Sequence, residues 1–136
     1  MNDDLVLINS SMWIEAWRRT GDAAARECAL RWYDEGLAAV CYPVVLELIG
    51  GARTPAEVES IRTHFAHLPF LSVSNKVWEA AWEYAFALRR KGLTIPTADV
   101  LIATTAAVHE VPLLHRDEHY RLCAETIPFA DISPSF

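Results

Sequence analysis

The sequence predicts an α/β fold in which a parallel sheet of four to five strands is covered by helices on both faces, making three layers. Three observations carry this: short, wholly apolar runs recur along the chain, amphipathic segments separate them, and cap or breaker residues mark the junctions. Parallel strands need crossover connections, and helices supply them.

Residues 5–8 (Leu-Val-Leu-Ile) form the first apolar run, and Asn9, Ser10 and Ser11 behind them read as a helix cap. Met12, Trp13, Ala16 and Trp17 fall at helical spacing; Gly21 interrupts, and residues 23–33 resume the pattern through Ala24, Cys28, Ala29 and Trp32. Residues 37–41, between Gly36 and Pro43, predict a second strand. Pro43 then suits the first turn of a helix through Val44, Leu46, Leu48 and Ile49, which Gly50 and Gly51 end. Thr54, Pro55 and Glu57 make a capping box for a helix to about residue 67. Residues 70–73 predict a third strand, and Ser74 caps the longest helix, residues 75–91. On that helix Trp78, Trp82 and Phe86 recur at i, i+4, i+8, spacing that reads as a core stripe, with a dimer or partner surface as the alternative use. Thr97 is expected to cap a helix through Val100, Leu101, Ala103, Thr104 and Val108. A strand at 112–115, a short helix at 119–124 and a last strand near 129–132 complete the alternation.

With 136 residues, 52% of them hydrophobic, the chain has material for one core and is expected to form one domain, 1–136. Only 22% are charged, with 5 Gly and 7 Pro, which excludes a disordered or collagen-like chain. No window approaches the ~18 apolar residues of a membrane helix, and the acidic start lacks the basic residues of a secretory signal, so a cytoplasmic protein without membrane attachment is expected. Cys28, Cys41 and Cys123 lack metal or disulfide spacing and read as small buried hydrophobes. A net charge of −6 argues against binding nucleic acid by general phosphate attraction, yet leaves open a nuclease whose site is itself built of carboxylates.

Functional groups in a parallel sheet collect beyond the carboxyl ends of the strands. That rule singles out Asn9, Ser10 and Ser11 after the first strand, Glu47 on the helix after the second, Asp99 in the first turn of its helix, and Arg116 and Asp117 after the fourth run. Glu47 stands inside the apolar run Val44-Val45-Leu46-Glu47-Leu48-Ile49, a costly place for a charge. Taken singly, each has an ordinary reading as a cap or a solvated side chain. Gathered together, the carboxylates would repel by several kcal/mol per pair at ~4 Å and an effective dielectric of ~20, so a cluster implies a hard cation such as Mg²⁺ or Mn²⁺.

The segment Leu5-Val6-Leu7-Ile8-Asn9-Ser10-Ser11-Met12-Trp13 resembles the opening motif of the PIN domain, the nuclease fold of the VapC toxins. Pro43-Val44-Val45-Leu46-Glu47-Leu48 with Gly51-Ala52-Arg53 is similar to its second motif, Ile95-Pro96-Thr97-Ala98-Asp99-Val100-Leu101-Ile102-Ala103 to its third, and Leu113-Leu114-His115-Arg116-Asp117-Glu118-His119-Tyr120 to its fourth. The ordered set spans nearly the whole chain. The resemblance implies a PIN-like α/β/α fold and a Mg²⁺- or Mn²⁺-dependent endoribonuclease toxin that cleaves RNA phosphodiester bonds. Its implied partners are a VapB-like antitoxin, whose tail would place a basic side chain in the acidic groove, and a second copy of the chain. By position, Asp99 and Asp117 would inherit metal binding, Glu47 an acidic role direct or through water, and Ser10 the support of the first ligand. His119 stands where many relatives carry another acid; it reads as a helix-surface imidazole, with metal or phosphate contact as the alternative. Arg53, Arg89, Arg90 and Arg116 would line an RNA path or simply end helices in solvent.

Position 9 departs from the pattern, because Asn9 stands where the family carries its first metal-binding Asp. Loss of that charge implies weak metal binding and little cleavage, and leaves a non-catalytic domain that binds RNA or antitoxin as the alternative. The otherwise intact acids favour a disarming substitution over a degenerate natural residue, which the genomic codon decides. Three rivals are weaker. The order His115-x-x-Glu118-His119 matches some zinc peptidases, but His115 ends a predicted strand; Ser10 and Ser11 lack a nucleophile elbow; and a phosphoacceptor or flavodoxin-like module would need an acid after the first strand.

Overall fold

The computed structural model describes residues 4–18 and 21–132, so of the acidic start only Asp4 lies within it. Its first apolar run forms β1 (Val6–Ile8), with every residue buried, because this strand has neighbours on both edges and helices above and below. Then follow α1 (Ser10–Trp17), α2 (Ala23–Asp34), β2 (Ala38–Ala39), α3 (Tyr42–Gly50), α4 (Pro55–Phe65), α5 (Asn75–Arg90), α6 (Thr97–His109), β3 (Leu113–Leu114), α7 (Glu118–Cys123) and β4 (Asp131–Ile132). The sheet order is β2-β1-β3-β4, all parallel, with Val6 opposite Ala38, Leu7 opposite Leu113, and Leu113 opposite Asp131. The chain crosses from β1 to β2 through α1 and α2, then back past β1 to β3 through α3 to α6. Right-handed crossovers in opposite directions put the two helix groups on opposite faces, giving the three layers.

Local chemistry sets several boundaries. The Asp22 carboxylate caps α2 by accepting from the Ala24 and Ala25 amides, and Thr54 caps α4 by accepting from Glu57 N. Helix α6 is buried from Asp99 to Ala106, apolar around most of its circumference, and its Thr104 and Thr105 hydroxyls donate to carbonyls one turn back, at 2.7 and 2.8 Å. Asp99 is thus carried by the most enclosed helix of the fold. No described helix is long and apolar enough to cross a membrane.

Three expectations are corrected. Residues 70–73 contribute only one parallel bridge, Phe70 to Val40, because Pro69 has no amide to extend a ladder and the chain leaves for the Ser74 cap of α5. Thr97 is the first residue of α6 rather than its cap, a place taken by Pro96, which offers no side-chain bond. The stripe Trp78, Trp82 and Phe86 is not core: α5 buries Val77, Ala81 and Leu88 instead, leaving Trp82 and Phe86 66% and 68% exposed. Of the other pair, Trp13 is fully buried within an aromatic cluster of Tyr33, His64 and Phe65, while Trp17 remains partly open. Cys41 and Cys123 are buried and Cys28 is partly so, all three as free thiols.

Candidate functional site

The carboxyl ends of β1 and β3 lie side by side, joined by the Asn9 amide donating to Leu114 O at 3.0 Å. Position 9 therefore meets the segment carrying Asp117, and the start of α6 brings Asp99 to the same place. Asn9 is buried. Its Nδ2 donates to Ser11 Oγ at 3.0 Å, and its Oδ1 accepts from the Tyr120 hydroxyl at 2.8 Å. The same hydroxyl lies 3.2 Å from Asp99 Oδ1, so one proton serves two buried acceptors.

The other Asp99 oxygen, Oδ2, is 2.9 Å from His119 Nδ1, and that nitrogen is 3.3 Å from Asp117 Oδ1. Asp117 Oδ1 also accepts from the His119 amide at 2.9 Å, capping α7, so the ordinary reading of Asp117 as a cap and its place in the site hold together. Ligand atoms of Asp99, Asp117 and His119 all lie within 4.8 Å of one another. Adjacent ligands about a divalent ion at ~2.1 Å are ~3 Å apart, so two carboxylates and an imidazole at these separations suit such an ion.

Glu47 stands outside that triad. The Ser10 hydroxyl donates to its Oε1 at 2.9 Å, so Ser10 joins α1 to α3 rather than capping a helix. Burial raises the Glu47 carboxyl above its ordinary range; the Ser10 bond opposes this, and the charges of Asp99 and Asp117 reinforce it. Asp99 is raised chiefly by burial, with the His119 bond opposing and the Asp117 charge adding. Tyr120 is held well above its usual range by burial and then by the charges of Asp99 and Glu47, so it stays a hydroxyl donor. The three acids thus share one electrostatic field.

The sequence singled out all of these positions except Tyr120, whose signal was its place one turn after Asp117 on a helix facing β1. His119 combines features of both its readings: its side chain is 42% exposed, and its Nδ1 faces Asp99 and Asp117. Arg116 lies against Glu15 and Asp22, at 4.0 and 3.5 Å, on the outer side of α1 and α2. His115 is fully buried; its Nδ1 accepts from the Asp117 amide at 3.2 Å, while Nε2 approaches Asp131 Oδ1 at 2.8 Å without good hydrogen-bond alignment. With His115 turned to Asp131 and His119 to Asp99, the two imidazoles do not form the ligand pair of a zinc peptidase. Beside Glu47, a groove of about 560 Å³ runs between α1, α3 and α4, lined by Ile14, Trp17, Leu48, Ile61 and His64.

Comparison with known proteins adds to this geometry. Residues 6–125 match the family model described as PIN domain. The chain is 32% identical over 123 residues to Ribonuclease VapC11 of Mycobacterium tuberculosis, covering 88% of this chain and 92% of that protein. It is 30% identical over 94 residues to Ribonuclease VapC21 of the same organism, covering 67% and 68%. Among solved structures, the fold is similar to a chain of VapBC2 from Rickettsia felis bound to a promoter DNA fragment, with a TM-score of 0.75 at 17% identity over 96% of this chain and 99% of that one. A toxin-antitoxin complex from Klebsiella pneumoniae gives 0.73 at 17% identity, covering 96% and 98%.

Proposed function

The chain belongs to the PIN-domain family, and from that premise we propose that it is an endoribonuclease toxin of the VapC type, dependent on Mg²⁺ or Mn²⁺ and weakened by Asn9. The observation that carries this reading is the approach of Asp99 and Asp117 to one point, with Glu47 in the same field, at the strand ends where Asn9 also lies. A bound divalent cation supplies Lewis acidity toward water and toward a phosphodiester oxygen. Asp99 and Asp117 would hold it, and Asn9 would offer only a neutral carbonyl oxygen. Glu47, fixed through Oε1 by Ser10, has Oε2 left to orient water and take up a proton, a role its raised carboxyl suits. Tyr120 keeps the Asn9 and Asp99 side chains in register.

Cleavage of defined RNAs by this chain, by Asn9→Asp and by Asp117→Asn, each with and without chelator, tests the reading. We expect slow cleavage by the parent, a gain in Asn9→Asp, and loss in Asp117→Asn or on chelation; no gain in Asn9→Asp overturns the assignment at position 9. Asn9 also favours a second reading, a non-catalytic domain that acts by binding RNA or antitoxin, for which Asn9→Asp would bind and not cut.

The proposed partners follow from the relatives and the surface. A VapB-like antitoxin, as in the toxin-antitoxin complexes of similar fold, would place a basic side chain against the acidic pocket. A second copy of the chain would cover the apolar face of α3 and α5, where Tyr42, Leu46, Trp82 and Phe86 are each at least 66% exposed and a groove of about 1090 Å³ lies between Leu46, Phe70 and Trp78.

A further inference from the structure

We infer that His119 is a nitrogen ligand of the metal site and that, together with the uncharged Asn9, it shifts the site's preference from Mg²⁺ toward Ni²⁺, Zn²⁺ and Mn²⁺. The inference rests on the reading of this pocket as a divalent-ion site and names which ions that pocket selects.

The argument is one of donor chemistry and placement. His119 Nδ1 is 2.9 Å from Asp99 Oδ2 and 3.3 Å from Asp117 Oδ1, the separations of neighbouring ligands on one ion. The His119 backbone amide donates to Asp117 Oδ1 at 2.9 Å, which holds that carboxylate at the start of α7 beside the His119 ring. Nδ1 faces both carboxylates, so one ion would take the ring nitrogen and the two acids as neighbouring ligands. The ring is 42% exposed, which leaves a path for the ion.

Two features then act in the same direction. Mg²⁺ dehydrates reluctantly and favours anionic oxygen, whereas Mn²⁺, Ni²⁺ and Zn²⁺ accept imidazole nitrogen, with affinities that rise from Mn²⁺ to Ni²⁺ and fall again at Zn²⁺ after copper. Asn9, whose Oδ1 accepts from Tyr120, supplies no charge, so the anionic ligands within the triad are Asp99 and Asp117 alone. The hard ion loses a carboxylate it needs, and the borderline ions gain a nitrogen that Mg²⁺ cannot use well.

The test uses the full chain without RNA. Calorimetric titrations with MgCl₂ and with NiCl₂ give the ratio of the two affinities for the parent and for His119→Asp, with His67→Gln/His109→Gln measured to remove binding by exposed imidazoles. The parent should prefer Ni²⁺, and the ratio should fall by about tenfold or more in His119→Asp. On the parent itself, nitrogen-detected NMR during addition of ZnCl₂ should move the Nδ1 resonance of His119, a readout independent of whether any variant folds. An unchanged ratio, a Zn²⁺-induced shift confined to another histidine, or no ion binding overturns the inference. If the His119 signal responds and RNA is not cut with any ion, the nuclease reading fails while this one stands; if RNA is cut and the His119 ring is silent, the reverse holds.

Discussion

Replacing Asn9 by Asp perturbs the fold and the chemistry in opposite directions, and the structure sets the size of the first effect. Asn9 Oδ1 and Asp99 Oδ1 both lie against the Tyr120 hydroxyl, at 2.8 and 3.2 Å, so they are at most about 6 Å apart. Two full charges at ~6 Å and an effective dielectric of ~20 repel by about 3 kcal/mol. The Tyr120 hydroxyl, now shared by two carboxylates, returns about 1 kcal/mol, and burial of the new charge acts against that return. The variant is expected to be about 2–3 kcal/mol less stable than the parent at pH 8 in EDTA, or roughly 1 M lower in urea midpoint for a slope near 2 kcal/mol/M. The new carboxyl is raised in the folded state, so it releases its proton later there than in the unfolded chain. Its penalty is therefore full above the folded-state value and fades as pH falls toward the unfolded value of about 4. Saturating MnCl₂ at ~100 times the dissociation constant should restore about 2.7 kcal/mol and bring the variant back close to the parent. Urea titrations at pH 8 and pH 4.5, with and without Mn²⁺, read all of this; equal midpoints for the two proteins in EDTA at pH 8 would refute the coupling of position 9 to Asp99.

Tyr120→Phe leaves buried Asn9 and Asp99 oxygens without their donor and should cost about 1–3 kcal/mol in chemical denaturation, with the mass by light scattering the same as the parent's. Glu47→Gln removes a carboxyl that is raised in the folded state, so the variant should be the more stable protein at pH 8 without metal, by less than about 1 kcal/mol because the group is partly solvated. That advantage should vanish below pH ~4, where the parent's Glu47 is protonated in both states, as paired thermal melts would show. Glu110, which ends α6 with φ of 56°, is the one described non-glycine residue in the left-handed region; Glu110→Gly should stabilise by about 0.5–1 kcal/mol and raise Tm by roughly 2–4 °C in calorimetry.

Particular residues show what could be read before the fold was known. Strands buried on both faces leave an unbroken apolar run, so β1 was plain, and the strand-end rule pointed to Asn9, Asp99 and Asp117 because it depends only on chain direction. Glu47 was legible as a charge in an apolar run, but its tie to Ser10 joins residues 37 apart in sequence, which no local pattern encodes. On α5 the sequence carries two apolar stripes about one residue apart; Val77, Ala81 and Leu88 face the core, and the bulkier Trp78, Trp82 and Phe86 do not. Size favoured the wrong stripe, because helical spacing reports that a face is apolar and not what covers it. Tyr120 went unread for a related reason, since its hydroxyl partners come from β1 and α6.

Asn9, Glu47, Asp99, Asp117 and Tyr120 are strung along nearly the whole length of the polypeptide, yet the pocket exists only where β1 and β3 pair and α7 folds back onto them. A growing chain on the ribosome that has not yet released α7 lacks the segment that closes the pocket over the early groups. Whatever chemistry the finished pocket performs is absent until Asp117 and Tyr120 have emerged and folded back.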